Sequence, residues 1–327
     1  MAPAIRNLEA PEAAIRRFAE LVRTGAVDEP LGEPRLGIDL GTANIVVSVV
    51  DALNRPVAGG WMHSTVVRDG VVVDWAGATT AVRRLAGDVE QRLGRRFTKA
   101  SISIPPGISE GDIRVFRNVV GAAGMDADEV VDEPVAAARV LGITDGCVID
   151  VGHGTTGVSI LSGGEVLTSV DEATGGHHMT LVLAGAYRIG YDEAEEMKKD
   201  PARRDDVLGV IRPTLEKMAS IAEAALVGHD VPMVYLVGGS SSFPNAPDVF
   251  ATRLGRPVVR PIEPLFVTPL GVPMHTVPEE PVRKSRHSHS IPEEPVRKSR
   301  HPHSVPEEPV RNEPASRRAA SRRKEDR

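Results

Sequence analysis

Two short segments of this 327-residue chain carry residue types in an order that suits phosphate chemistry. In Gly37-Ile38-Asp39-Leu40-Gly41-Thr42-Ala43-Asn44 an apolar run ends on a carboxylate and turns through glycine into a hydroxyl. Glycine lets the backbone approach a phosphate closely, and successive N–H groups form an anion-binding concavity. A carboxylate repels phosphate, so Asp39 suits a hydrated Mg²⁺, an ion that keeps several waters and bridges to phosphate oxygens. Asp150-Val151-Gly152-His153-Gly154-Thr155-Thr156 offers the same parts. One such hairpin is an ordinary turn pattern. Two in matching positions can pinch a polyphosphate, with Asp39 and Asp150 facing the metal.

The elements around the hairpins must then recur, and they do. Runs over 36–39, 45–50 and 57–62 read as strands, with a further candidate over 71–74. A helix over 76–93 follows, then a strand over 100–104 closed by Pro105-Pro106-Gly107. A helix over 110–123 stops at Gly124, a short strand takes Val130-Val131, and Pro134 opens a helix. The order begins again with strands over 148–151, 158–161 and 166–170, helical sequence over 179–226, a strand over 233–237, a helix over 248–254 and a strand over 257–259. Two copies of one topology predict an α/β fold of two lobes, 35–142 and 143–272, with a ligand cleft between them.

The rest of the chain frames those lobes. Hydrophobic residues make up 41 % but aromatic ones only 3 %, so the core is aliphatic. Residues 1–34 predict a helix and linker, with Ile15, Phe18, Leu21 and Val22 on one side, to pack on the body or to dock a partner. The single cysteine, Cys147, lies in an apolar run and excludes an internal disulfide, which makes a cytoplasmic location the default expectation. No apolar run approaches the roughly 20 residues that span a bilayer, so membrane insertion is not expected.

Residues 273–327 hold 13 Lys/Arg against 9 Asp/Glu, a net of +4, while residues 1–272 carry −10. There a 14-residue segment at 277–290 recurs at 291–304 and starts again at 305, rich in Pro, Glu, Arg, Ser and His. Such a composition predicts a disordered tail. His287 with His289, and His301 with His303, suit only loose metal capture. The basic cluster Arg317, Arg318, Arg322, Arg323 and Lys324 lacks an aromatic platform, so a nucleic-acid partner is not expected.

With these residues in view, the chain resembles the superfamily of actin, sugar kinases and Hsp70 chaperones. Asp39 to Asn44 match its first phosphate loop, Asp150 to Thr156 its second, and Leu236-Val237-Gly238-Gly239-Ser240-Ser241 its adenosine loop. Within it the chain is similar to the EutJ family of ethanolamine-utilisation proteins. That likeness rests on Val66-Val67-Arg68-Asp69-Gly70, Ile104-Pro105-Pro106-Gly107, Asp132-Glu133-Pro134, Glu172-Ala-Thr-Gly-Gly-His-His178, Glu216-Lys217-Met218-Ala219 and Val267-Thr-Pro-Leu270. The resemblance implies duplicated ribonuclease H-like domains that bind ATP·Mg²⁺ in a two-lobed actin/Hsp70-type fold. It implies nucleotide contacts from Gly41, Thr42, Asn44, Gly152, His153, Gly154, Thr155, Thr156, Gly175, Gly176, Gly238, Gly239 and Ser240. It sets Glu133 beside the attacking water, with Asp39 and Asp150, although an acid at a helix N-terminus has a plain dipole role too. It turns Glu216, with Lys217 and Ser220, toward the nucleoside, where an exposed charged face is the alternative.

Two departures temper the expected activity. His153 stands where the family's second loop has its middle glycine, so its side chain must turn from the phosphates or move the loop. The lysine that Hsp70 proteins supply from the first lobe has no clear counterpart, Arg83, Arg84 and Lys99 being regional candidates. The expectation is a slow ATPase acting as a chaperone-like assembly factor for microcompartment shell or cargo proteins, with self-association left open. The alternatives are a scaffold or filament former with little hydrolysis, and a small-molecule kinase, which would need a substrate insertion that is not evident.

Overall fold

The computed structural model describes residues 7–276. The repeat tail, its histidine pairs and its basic cluster lie outside the described residues. Both sheets belong to one compact unit.

The first sheet is built from β1 (Arg35–Leu40), β2 (Asn44–Val50), β3 (Pro56–His63), β6 (Lys99–Ile104) and β7 (Asp126–Asp132), in the order β3-β2-β1-β6-β7. Between β3 and β6 come a two-residue pair, β4 (Val67–Arg68) with β5 (Val71–Val72), and helix α2 (Trp75–Leu93). Helix α3 (Glu110–Ala123) joins β6 to β7, and α4 (Glu133–Leu141) leaves β7 directly. The second sheet uses β8 (Gly146–Val151), β9 (Thr156–Ser162), β10 (Glu165–Glu172), β11 (Val234–Val237) and β12 (Val258–Val259), in the order β10-β9-β8-β11-β12. In each sheet the first three strands pair antiparallel and the last two add in parallel. The two halves therefore share one topology.

The helical stretch over 179–226 is three helices, α5 (Gly176–Tyr187), α6 (Tyr191–Lys199) and α7 (Arg204–Ala225). Arg188, at φ 56°, and Pro201 make the breaks. Strand β7 is longer than Val130-Val131 because its exposed acids, Asp126, Asp128 and Glu129, hide a backbone that pairs with β6 from Lys99 to Ile104. Helices α8 (Ala246–Leu254) and α9 (Val267–Gly271) are the last α-helices among the described residues.

Helix α1 (Glu9–Thr24) packs on the body. Its Ile15, Phe18, Leu21 and Val22 are buried, and a Cβ on Gly59 of β3 would lie 2.5 Å from the Phe18 ring. Phe18 meets Phe266 edge to face with centroids 5.8 Å apart, a favoured aromatic geometry. Arg23 donates two hydrogen bonds to Glu263, at 2.8 and 2.6 Å.

Between the sheets α4 crosses α9 at backbone contact. A Cβ on Gly271 would come 1.9 Å from the Ala136 carbonyl oxygen, so only glycine fits. Ala137, Ala138 and Leu141 of α4 join Val46 and Val50 of the first sheet, Val148 and Tyr235 of the second, and Leu270 of α9 in one buried cluster. No described helix is long and apolar enough to cross a membrane.

Candidate functional site

Each sheet presents the turn between its first two strands to the same cleft. Strand β1 ends at Leu40 and β2 starts at Asn44, while β8 ends at Val151 and β9 starts at Thr156, leaving loops 41–43 and 152–155. The loop tips meet. A Cβ on Gly154 would lie 2.7 Å from Thr42 Oγ1 and 3.3 Å from Asp69 Cα. The cleft behind them has a volume of about 1170 Å³, and all the predicted site residues line it except Thr156, Gly175, Gly176, Glu216, Lys217 and Ser220.

Its floor is acidic. Ser103 Oγ donates to Asp39 Oδ1 at 2.8 Å, and Thr268 Oγ1 donates to Asp150 Oδ2. Gly238 clears space for Asp150, since a Cβ there would lie 2.2 Å from Oδ1. Burial raises the Asp39 carboxyl to about 7, against the Ser103 hydrogen bond and with help from the charge of Asp150. Burial likewise raises Asp150 to about 6. Glu133, the first residue of α4, is held well above the usual carboxylate range by burial and by the charges of Asp150 and Asp39. Asp171, which is not among the residues that line the cleft, sits across from Gly157 in the β9–β10 ladder, and burial raises it to about 7. One of its carboxylate oxygens is buried without a hydrogen-bond partner.

Crowded acids of this kind hold protons or call for a cation. Among the described residues no three His, Cys, Asp or Glu side chains cluster tightly enough to coordinate a metal directly. Asp39 and Asp150, two buried carboxyls whose charges repel, fit a hydrated divalent ion completed by water and phosphate oxygens, which is how Mg²⁺ is commonly held.

His153 does not take a positive φ, so the loop carries no backbone strain there. Its ring turns toward α6, where Nε2 lies 3.1 Å from the Tyr191 hydroxyl, itself 2.9 Å from His177 Nδ1. A tyrosine hydroxyl has one proton to give, so the two imidazoles take complementary roles around it. Burial, then the charge of Lys198, pushes the His153 ring down to about 4 and keeps it neutral.

The double glycine braces this loop from behind. Gly176 N–H donates to the Gly152 carbonyl at 3.0 Å, His177 N–H to the His153 carbonyl at 2.8 Å, and Ser240 Oγ to the Gly152 carbonyl at 2.8 Å. A Cβ on Gly175 would lie 2.5 Å from the His153 oxygen. Thr156 is buried, its Oγ1 donating to the Thr174 carbonyl at 2.6 Å.

Glu216 sits half exposed on α7, 3.6 Å from Arg212, and Lys217 pairs with Glu172 at 2.9 Å. Helix α6 reaches the cleft through Glu195 and Lys198. Lys198 Nζ donates to Glu195 Oε2 at 2.7 Å, to Thr180 Oγ1 at 2.8 Å and to the Gly176 carbonyl at 3.1 Å. Burial opposes the Glu195 charge, but Lys198 outweighs it and holds that carboxyl down at about 2. In the sequence the Glu195/Lys198 spacing was the available signal. None of Arg83, Arg84 and Lys99 lines the cleft; among the described first-lobe residues Arg68 is the Lys or Arg that does.

The ethanolamine utilization protein EutJ of Salmonella typhimurium is 43 % identical over 248 residues, 76 % of this chain and 86 % of that protein. The crystal structure of EutJ from Carboxydothermus hydrogenoformans superposes with a TM-score of 0.76 at 41 % identity, covering 82 % of this chain and 99 % of that one. MreB 5 of Spiroplasma citri, solved bound to AMPPNP, shares the fold with a TM-score of 0.63 at 18 % identity, over 75 % of this chain and 96 % of its own. Family models match as MreB/Mbl protein over residues 62–202 and as cell division protein FtsA over 147–291. With actin/Hsp70-like sheets in both halves and this identity over most of its length, the chain belongs to the EutJ family of ethanolamine utilization proteins.

Proposed function

We propose that the protein is a nucleotide-dependent, chaperone-like assembly factor that binds ATP with Mg²⁺ between its lobes. The observation that carries this reading is the contact of Thr42 with Gly154, which brings two phosphate-type loops to one point above paired carboxylates. Backbone N–H groups of both loops would hold the phosphates, and Asp39 and Asp150 would face the hydrated ion. When bound, the ion supplies charge neutralisation for the acids and for the phosphates. Glu133, whose proton is held more tightly by burial and by the charges of Asp150 and Asp39, would orient water or, once such an ion offset those charges, accept its proton. Glu195 and Lys198 offer polar groups to the nucleoside.

The proposed client is a microcompartment shell or cargo protein, met in the cytoplasm. Nucleotide-dependent closure would change affinity for that client, as hinge closure does elsewhere. The test is thermal unfolding with and without Mg·ATP, together with phosphate release. A ligand at 100 times its Kd adds about 2.7 kcal/mol. Unchanged melting across a concentration series would sink the proposal. The tie from His153 to Tyr191 favours a second reading, a nucleotide-held scaffold with little turnover. Phosphate release at background, with client capture intact, would support it.

A further inference from the structure

A nucleoside triphosphate brings several negative charges to a cleft whose floor is already acidic. Among the described residues four cations line that cleft: Arg68, Lys198, Lys199 and Arg204. Lys198 is committed to Glu195, Thr180 and the Gly176 carbonyl, and Lys199 to Glu195 and Glu196. Arg204 opens α7, beyond the end of α6. Arg68 differs in origin, coming from the first lobe and standing exposed.

The β4–β5 hairpin fixes where Arg68 stands. Arg68 pairs with Val71 across a two-residue turn in which Asp69 has φ 48° and Gly70 φ 77°. Two positive φ values in succession match the twist of the flanking strands, so such a turn is stiff. Gly70 rests on Pro105, where a Cβ would lie 3.2 Å from the ring. Asp69 backs onto the second phosphate loop, its Cα 3.3 Å from a Cβ placed on Gly154. Arg68 is therefore one residue from the tip of that loop, with a guanidinium fork suited to a phosphate edge.

We propose that Arg68 contacts the terminal phosphate of the bound nucleoside triphosphate and so makes the β4–β5 hairpin the element that tells triphosphate from diphosphate. This rests on the nucleotide-binding reading above. The experiment is titration calorimetry of wild type, Arg68→Ala and Arg68→Lys with Mg·AMPPNP and with Mg·ADP, beside melting without nucleotide. Wild type should bind the triphosphate more tightly. Arg68→Ala should weaken triphosphate binding roughly tenfold, leave diphosphate binding within about twofold, and leave melting unchanged. Arg68→Lys should recover part of the loss. Equal weakening for both nucleotides, no weakening for either, or equal wild-type affinities would overturn the inference while leaving the binding reading intact. Wild type that binds neither nucleotide would overturn both.

Discussion

Gly154 rests against Thr42 so closely that a methyl group on Gly154 would stand 2.7 Å from the threonine hydroxyl oxygen. The two halves of the molecule thus meet where their phosphate loops turn. Gly154→Ala should cost about 1–3 kcal/mol, because the added methyl group overpacks that contact. Thr42→Ala in the same chain should return part of the loss by removing the atoms in the way. Urea midpoints of the single and double variants measure this, and strictly additive losses would refute the steric account.

The histidine in the second loop makes a different prediction. Tyr191→Phe should cost about 1 kcal/mol by removing the hydroxyl that His153 and His177 share. A double-mutant cycle with His153→Gly should show coupling of about 0.5–1.5 kcal/mol. The His153 folded-state pKa of about 4 lies below its ordinary 6.5, so its contribution is full above 6.5 and is lost as pH falls toward 4. Nuclear magnetic resonance titration of the ring checks the value directly.

The acids act with the opposite sign. A carboxyl raised from 3.8 to about 7, as at Asp39, is stabilising below its unfolded value and loses that contribution as pH rises through 7. Asp39→Asn should therefore stabilise the ion-free protein by about 1–3 kcal/mol near pH 8, with the gain fading toward pH 4. Asparagine can still accept from Ser103. The same change should abolish the stabilisation by Mg·ATP, so stability and binding move in opposite directions. Melting at both pH values, with and without Mg·ATP, decides.

At the helix crossing no adjustment is available. Gly271→Ala would press a methyl group onto the Ala136 carbonyl, two backbones that cannot both yield, and should cost more than about 3 kcal/mol. Soluble yield and circular dichroism melting test this. A wild-type melt would mean that α4 and α9 can slide apart.

What the sequence disclosed was what local chemistry encodes. Asp39-Leu-Gly-Thr42 and its counterpart at Asp150 specify a turn within a few residues, and the repeated order of strands around them specified two like sheets. Sites assembled across the chain were harder to see. Glu195 and Lys198 sit at the spacing of any solvated helix face, and only packing of α6 beside Thr180 turns them inward. Glu216 and Lys217 are as charged, yet pair outside the cleft with Arg212 and Glu172. Arg68 is a hairpin residue whose neighbourhood is set by Gly154, far along the chain.

The seating of α9 on the first sheet has a consequence for the birth of the protein. Ser48 Oγ donates to the Pro269 carbonyl at 2.6 Å, across 221 positions of sequence, and Gly37 lies under Pro273. Ribosomes add about 5–20 residues each second, so β1 and β2 wait on the order of ten seconds or more for their covering. Until then Ser48 and Gly37 lack that covering. The first half of the chain is made early and finished last.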